Sequence, residues 1–593
     1  MNARISRNKA RRIFRSRKRQ VGDLTESASR HIDRHVFRRL NNFGDIARFV
    51  GAWLGMMLIL IAGVAYQNRT LASYYLESKP VPGGVLNEGV VGTFTNPNPL
   101  FASSTIDLSV SKLIFNSILT YNEKGQLVPD LAESVTRSDD GLTYTVVLRQ
   151  DVLWQDGHKF SSSDVVYTYK AIQNPDTRSP YNISWQGIAI EATDERTVTF
   201  KLPSALNSFT ISLTNGIVPA HILSKVNFSE LRSAEFNSIP VGTGPFILNQ
   251  AVRLDDFETL EKRQRIELVR NDAYFKGRPG LEAFIIYALA DDQELIDGLE
   301  TRQIDSAIFN SYPTLNAEKP YVVKNVPLQA GTYLFFNLSQ SPFDSRELRQ
   351  ALVQGTQVNN IVEGLEYPLQ AVDSPLLSNQ TGYDTNITQL TFDPAKANQV
   401  LDSLGWPRSA ETGLRTKDGV AIELVLTTLE GSDFARVASY IQTSWLSEMG
   451  IKVSIVTKNA QELQPLLLQH SYQMLLYGVS LGVDPDVYAY WHSSQAVVDR
   501  FNLSLYKSDV SDRALEAGRS RPDVALRAAK YKPFLEAWKN DAPAIGLYQP
   551  PVFYVSEQTI YGFDTIRMNS VADRYYNVHN WKVTTNKLPI IED

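Results

Sequence analysis

Residues 422–455 read IELVLTTLEGSDFARVASYIQTSWLSEMGIKVSI, and their periodicity changes twice. Ile422, Leu424 and Leu426 alternate with a period of two. Phe434, Val437, Ala438, Ile441, Trp445, Leu446 and Met449 then trace one stripe of a helix that Gly450 stops, and Ile451, Val453 and Ile455 alternate again. This is strand, helix, strand, the unit of an α/β fold in which crossover helices cover a sheet. Working outward, Leu142, Tyr144, Val146 and Leu148 share one face of a half-buried strand, and Val198 and Phe200 lie in another. Ser161 and Asp164 make a capping box ahead of Val165, Val166, Tyr169 and Ile172, which predicts a helix start. Asp393-Pro394 opens a further helix through Ala397, Val400, Leu401 and Leu404, closed by Gly405. No fixed-period repeat interrupts this alternation.

The 593 residues are 43% hydrophobic and 21% charged, which excludes a mostly disordered chain, a collagen-like fibre and a polytopic membrane protein. The absence of cysteine removes thiol nucleophiles, cysteine zinc sites, disulfides and a lipidated cysteine anchor. The formal charge of -5 hides a split: residues 1–48 hold 14 Lys and Arg against 4 Asp and Glu, a net +10, leaving -15 for the rest. Arg48 and Arg69 bracket twenty uncharged residues, 49–68, with Leu58-Ile59-Leu60-Ile61 at the centre and Trp53 and Tyr66 near the ends. At about 1.5 Å per residue this length crosses the roughly 30 Å hydrocarbon layer once. A retained signal anchor and a cleaved secretory signal compete for this segment; without a cysteine to lipidate, a retained span is the remaining covalent way to hold an exported domain at its membrane. The Arg-rich amino-terminal side then stays cytoplasmic, and the acidic remainder lies outside. Within the tail, Ala28, Ile32, Val36 and Leu40 repeat every four residues beside Arg30, Arg34, Arg38 and Arg39, a pattern open to two readings: a helix along anionic lipid, or a solvated tail that orients insertion. The apolar span directly after the basic arm argues against nucleic acid as the arm's partner.

Several short pieces recur in one order: Pro129-Asp130-Leu131-Ala132, Trp154-Gln155-Asp156-Gly157, Gly242-Thr243-Gly244-Pro245-Phe246, Asn271-Asp272-Ala273-Tyr274-Phe275-Lys276-Gly277, Arg349-Gln350-Ala351-Leu352, Asp484-Pro485-Asp486 and Asp541-Ala542-Pro543-Ala544-Ile545. In this order the part from residue 84 onward resembles the extracellular solute-binding proteins of peptide, dipeptide and nickel ABC importers, solute-binding family 5. The resemblance implies an α/β, two-lobed periplasmic-binding-protein-like (Venus flytrap) fold with an extra domain, here preceded by one amino-terminal transmembrane helix. The expected organisation is a basic cytoplasmic tail over 1–48, the signal anchor over 49–68 and a linker over 69–83. Lobe I would take 84–104, 206–330 and 546–593, with an extra domain over 105–205 and lobe II over 331–545. The implied role is capture of oligopeptides or similar solutes by lobe closure, as a monomer, for separate permease and ATPase subunits, with no cofactor and no catalytic residue.

The resemblance carries over ligand-binding positions in loops leaving strands. Phe94, Thr95 and Asn96 follow the first strand, where Asn and Pro serve equally as turn formers. Gly242, Thr243 and Gly244 suit either a loop at the cleft or a tight structural turn. Tyr333 and Asn337 share one strand face with Phe335, one face of that strand being core. Ser480, Leu481, Asp484, Tyr490 and Trp491 form the segment richest in polar and aromatic groups. Many peptide-binding relatives carry an aspartate a few residues before Asp-Pro-Asp, which pairs with a peptide's amino terminus; here Ser480-Leu481-Gly482-Val483 carries no acid. Asp484 is then either the substitute or a helix cap. Two rival functions remain. Gly478-Val479-Ser480-Leu481-Gly482 fits the G-x-S-x-G elbow of a serine hydrolase using Ser480, with Asp541 and His579 later in the chain, although Asp484-Pro485 puts the next helix start too late. The other rival is a ligand sensor or envelope scaffold without transport. Metal sites are not expected, because among seven histidines only His31 and His35 have i,i+4 spacing, and they lie in the tail.

Overall fold

The computed structural model describes residues 38–253, 263–430, 433–564 and 567–589, of which 38–48, 68–77, 253 and 588–589 are described by their backbone alone. The expected tail lies outside the described residues as far as residue 37, and with it His31 and His35. The chain forms two compact units, one holding the part up to Lys79 with Thr585 onward, the other running Pro80–Thr584.

In the first unit a single helix spans Arg38–Tyr75, and its stretch Phe49–Gln67 is long and apolar enough to cross a membrane, with mean hydropathy 2.1. Phe49, Leu58, Ile59 and Tyr66 all stand exposed along it, which suits lipid rather than a protein core. Part of the expected linker is ordered structure. The helix continues seven residues past Asn68, and Leu76–Val81 is a strand that pairs with Thr584–Pro589, because nothing between Arg69 and Tyr75 breaks a helix.

The second unit has two mixed sheets. The first orders Val322–Pro327, Pro551–Ser556, Ser306–Phe309, Val85–Val91, Ala283–Leu289, Gln264–Arg270 and Phe246–Arg253, with Val85–Val91 parallel to both neighbours. The second orders Gln370–Ala371, Ala544–Gln549, Ala330–Phe336, Met474–Ser480, Glu423–Leu429 and Lys452–Lys458. Here Glu423–Leu429 runs parallel to Lys452–Lys458, and the helix Asp433–Met449 crosses between them, burying Val437, Ala438, Ile441, Trp445 and Met449. Leu446, placed by periodicity on that stripe, is exposed at its edge. A four-stranded antiparallel sheet of Ala132–Arg137, Thr143–Leu148, Thr197–Lys201 and Ala189–Ala192 makes the extra domain. The helix Ser162–Gln173 covers it, started by the Ser161/Asp164 capping box.

The extra domain is not an independent bead: Tyr144, Trp154, Tyr169 and Trp185 share one continuous core with Leu86, Phe246 and Ile266 of the first sheet. The helix Thr105–Ile114, assigned from sequence to that domain, packs on strands Val85–Val91 and Phe246–Arg253. The carboxy-terminal return to the first lobe falls at Pro550, since Ala544–Gln549 still belongs to the second sheet and Pro551–Ser556 to the first.

A buried ion pair joins the chain's ends within this unit. Glu88 and Arg574, both with side chains at 0% exposure, meet across 486 residues. Tyr554 donates to Glu88 Oε2 at 2.8 Å and its oxygen lies 3.0 Å from Ser306 Oγ, Tyr575 also donates to Glu88, and Arg574 donates to the Val571 carbonyl at 2.7 Å. Removing one partner of such a pair strands a charge in the core. Arg574→Met is expected to lower unfolding free energy by about 3–5 kcal/mol in urea titrations, and adding Glu88→Gln to recover part of that loss. Nearby, burial first and then Lys276 push the His579 imidazole down to about 4 from its ordinary 6.5. The folded value lies below the unfolded one, so the unfolded state takes up the proton first as pH falls. Stability is therefore whole above about pH 6.5 and is lost toward pH 4. His579→Gln is expected to flatten the fall of melting temperature over that window.

Candidate ligand-binding cleft

The two lobes are joined by chain crossings that lie side by side. Leu328 N–H donates to the Pro550 carbonyl at 2.9 Å, and Gln549 Nε2 donates to the Leu328 carbonyl at 2.6 Å. The next residue, Gln329, is buried; its N–H donates to the Met568 carbonyl at 2.7 Å, and its own carbonyl accepts from Leu481 and Gly482 at 2.9 and 3.0 Å. The loop after Met474–Ser480 is thus hung directly on the hinge. Away from the hinge the lobes touch again. Asn207 N–H donates to the Arg519 carbonyl at 3.0 Å, Ser208 Oγ to Asp486 Oδ2 at 3.0 Å, and Asn207 Nδ2 reaches Asp484 Oδ2 at 3.4 Å. Hinge on one side and latch on the other are what a clamshell in its closed arrangement requires.

The expected site residues fall into three groups. Phe94, Thr95 and Asn96 are held by their backbones: Phe94 N–H donates to Gln264 Oε1, and Thr95 and Asn96 donate to Asp107 near the start of the helix Thr105–Ile114. The Thr95 hydroxyl also donates to Asp107 Oδ2 at 2.6 Å, which leaves the half-buried Phe94 ring at the surface of the loop. Gly242, Thr243 and Gly244 pack on the other end of the same helix. Gly244 N–H donates to the Ile114 carbonyl at 2.7 Å, and a Cβ would lie 1.9 Å from the Ile114 carbonyl oxygen at 242 and 2.5 Å from it at 244. Thr243 is buried against Asn116. These glycines exist for backbone approach, as a tight turn needs.

In the third group, Tyr333 lies at 0% exposure and donates to the Ser374 carbonyl, Trp491 at 0% exposure packs on Tyr333, Phe335 and Trp538, and Asn337 is spent on the His470 and Tyr472 carbonyls. The strand Ala330–Phe336 has core on both faces, Leu334 and Phe336 in one cluster, Tyr333 and Phe335 in the other, because it is central in a sheet covered on both sides. Ser480 is exposed and its carbonyl accepts from the Tyr490 hydroxyl at 2.6 Å; Leu481 is buried. Asp484 caps no helix, since the short helix Tyr488–Trp491 starts from Val487. It accepts from Asp486 N–H at 3.0 Å and is gripped by both terminal nitrogens of the buried Arg527, one at 2.6 Å. The elbow geometry of a hydrolase is missing: Ser480 ends a strand with no helix behind it, and among the described residues its hydroxyl bonds to neither Asp541 nor His579. Asp541 accepts from Tyr506, and His579 packs on Tyr274.

The sequence reading placed no site residue in the carboxy-terminal return. A cavity of about 280 Å³ lies beside the helix Thr105–Ile114, lined by Lys112, Phe115, Tyr181, Trp185, Ser570 and Asp573. Burial pushes the Asp573 carboxyl above its usual range, partly offset by the charge of Lys112 and by the backbone amides of Ser570 and Asn569. Lys112 donates to Thr120 Oγ1 at 3.2 Å and forms no ion pair with Asp573. Burial first, and then the charges of Asp573 and of the second lobe's Asp484, push the Tyr121 phenol up. Asn569, whose amide nitrogen and oxygen are both buried and without a hydrogen-bond partner, faces the second lobe with Oδ1 3.9 Å from the Cβ position of Gly482.

The family model of bacterial extracellular solute-binding proteins, family 5 Middle, matches residues 126–500. The oligopeptide-binding protein AppA of Bacillus subtilis is 26% identical over 515 residues, covering 85% of this chain and 92% of that protein. NikZ from Campylobacter jejuni, solved with Ni(L-His), superposes with TM-score 0.70 at 26% identity over 84% of this chain and 99% of its own. The AppA structure from Bacillus subtilis in complex with a nonapeptide gives TM-score 0.68 at 24% identity, covering 85% and 100%. If Gly242 and Gly244 serve the turn, Gly242→Ala forces a Cβ into the Ile114 carbonyl. Melting of that variant is expected to show a loss of at least about 1–3 kcal/mol.

Proposed function

Because the chain belongs to the bacterial extracellular solute-binding proteins, family 5, we propose that it is a membrane-anchored, noncatalytic receptor that captures a short peptide with free termini and passes it to permease and ATPase subunits. Its substrate-binding role is that of the family; the anchor, the monomeric state and the ligand are our reading. The single helix with an apolar stretch at Phe49–Gln67 supplies the anchor, and the Arg-rich side of that stretch keeps its amino terminus in the cytoplasm. Tethering raises the local concentration of the receptor at its permease.

The observation that carries the ligand assignment is Lys112 and Asp573 lining one cavity without pairing with each other. A cation and a carboxyl so placed match the two ends of a zwitterion, with Asp573 taking the peptide ammonium and Lys112 its carboxylate. A volume of about 280 Å³ sits at the small end of ligand pockets, roughly 300–1,000 Å³, and suits a di- or tripeptide rather than a nonapeptide.

Thermal-shift screening of the full chain in detergent micelles is expected to show stabilisation by di- and tripeptides. N-acetylation of the peptide is expected to weaken binding to the wild type by about tenfold or more, and to change nothing for Asp573→Asn. An ammonium on Asp573 draws its carboxyl back down, so binding releases protons and affinity rises with pH across the carboxyl range. An acetylation penalty that is the same in Asp573→Asn would end the assignment. Co-purification with permease and ATPase subunits separates import from sensing.

A further inference from the structure

Asp156, His158 and His221 present one ligating atom each within 4.8 Å of one another. Asp156 Oδ2 lies 2.7 Å from His221 Nε2, and Oδ1 lies 3.2 Å from His158 Nδ1. The two imidazoles stack at 4.1 Å between centroids. We propose that these three side chains bind a divalent transition-metal cation of the Zn²⁺ or Ni²⁺ type, at a site separate from the peptide cavity.

The donor set selects the ion class. Two imidazoles and one carboxylate suit borderline cations, whereas Mg²⁺ and Ca²⁺ want oxygen ligands throughout. The site is also built, because both halves are pinned to one buried acid. On one side, Asp156 sits in a turn closed by Trp154 N–H to the His158 carbonyl and by Gly157 N–H to the Trp154 carbonyl, each 2.8 Å. Gly157 has φ +88, a left-handed conformation that favours glycine, and Asp156 Oδ1 also accepts from His158 N–H at 3.1 Å. The Trp154 indole then donates to Asp164 Oδ2 at 3.3 Å. On the other side, the helix Ala220–Leu223 presents His221, and Ala220 N–H donates to Asp164 Oδ1 at 2.8 Å. Asp164 itself is only 3% exposed. Turn and helix, 65 residues apart in sequence, are therefore registered against each other before any ion arrives.

One adjustment is needed. In the stacked arrangement the two rings offer their nitrogens side by side, whereas a cation at about 2.0–2.1 Å from each wants them convergent. The His158 side chain is 62% exposed and has room to turn, while His221 and Asp156, at 26% and 28%, are more enclosed. Solvent fills the remaining coordination positions. The bound ion clips the turn at 154–158 to the helix Ala220–Leu223. It lies next to the Gly242 turn, which Gln155 ties to this one through its own N–H to the Gly242 carbonyl and its Oε1 from Gly242 N–H, both 2.9 Å.

The test uses the full chain in detergent, stripped with chelator. Zn²⁺ and Ni²⁺ are expected to raise its melting temperature at micromolar concentration, and Mg²⁺ to leave it unchanged. Co²⁺ should give a visible d–d absorption band that saturates at one equivalent. In His158→Gln/His221→Gln the band disappears and Zn²⁺ affinity falls by about tenfold or more. Asp156→Asn keeps the turn's acceptor oxygen and serves as the second variant, with the same weakening expected. Peptide binding by these variants should match the wild type. A Zn²⁺ shift that survives in both variants, or a wild type with neither shift nor band, overturns the proposal.

Discussion

The pairing of Glu88 with Arg574 is the constraint on which the rest of the binding domain hangs. Glu88 belongs to the central parallel strand of the first sheet, and a carboxylate there without a partner would carry an uncompensated charge in the core. Arg574 supplies the partner, and in doing so brings the 570–575 segment onto the strand, against Tyr554 and beside Ser109 of the helix Thr105–Ile114. Asp573 and Asn569 flank that anchor. Their place beside Lys112 and across from Gly482 is therefore a consequence of an ion pair that itself touches no ligand.

Closure depends on a second constraint, the adjacency of the two crossings. Leu328 and Pro550 are bonded backbone to backbone, so the lobes pivot about one short seam rather than about separated linkers. Gln329 extends the seam in both directions, to Met568 of the return and to Leu481 and Gly482 of the opposite loop. A ligand that contacts both lobes gains both sets of contacts only when that seam is closed. Differential contact of this kind is what shifts a population between open and closed forms.

Local grammar was legible from the residues. The change of period across 422–455, the Ser161/Asp164 box and the Asp393-Pro394 start each produced the element they announced, since each depends on neighbours within a turn or two. The span near Leu58 was legible for the same reason. Reading failed where burial is decided at a distance. Alternation assigns one face of Ala330–Phe336 to the core, but a central strand between two layers buries both, which takes Tyr333 and Trp491 into packing. Gly242 and Gly244 looked like cleft or turn alike until the Ile114 carbonyl was in place. The cavity of Asp573 and the imidazole pair at His158 and His221 were not legible, because Lys112 and His221 come from segments far along the chain from Asp573 and Asp156.

The fate of Asp484 bears on why the proposed site lies in the first lobe. Arg527 holds it with two charge-assisted hydrogen bonds, and both side chains are nearly buried, at 13% and 5% exposure. A peptide ammonium competing for that carboxylate would have to displace a guanidinium that has nowhere to go but a low-dielectric interior. The penalty for a stranded buried charge, several kcal/mol, exceeds the roughly 1.5–3 kcal/mol that a new charged hydrogen bond returns. Asp573 presents the opposite case: its carboxyl is raised by desolvation, its nearest cation is not in contact, and an incoming ammonium relieves a cost already present in the folded state. Of the two carboxylates, the acid open to a cation is the one the fold has left incompletely compensated.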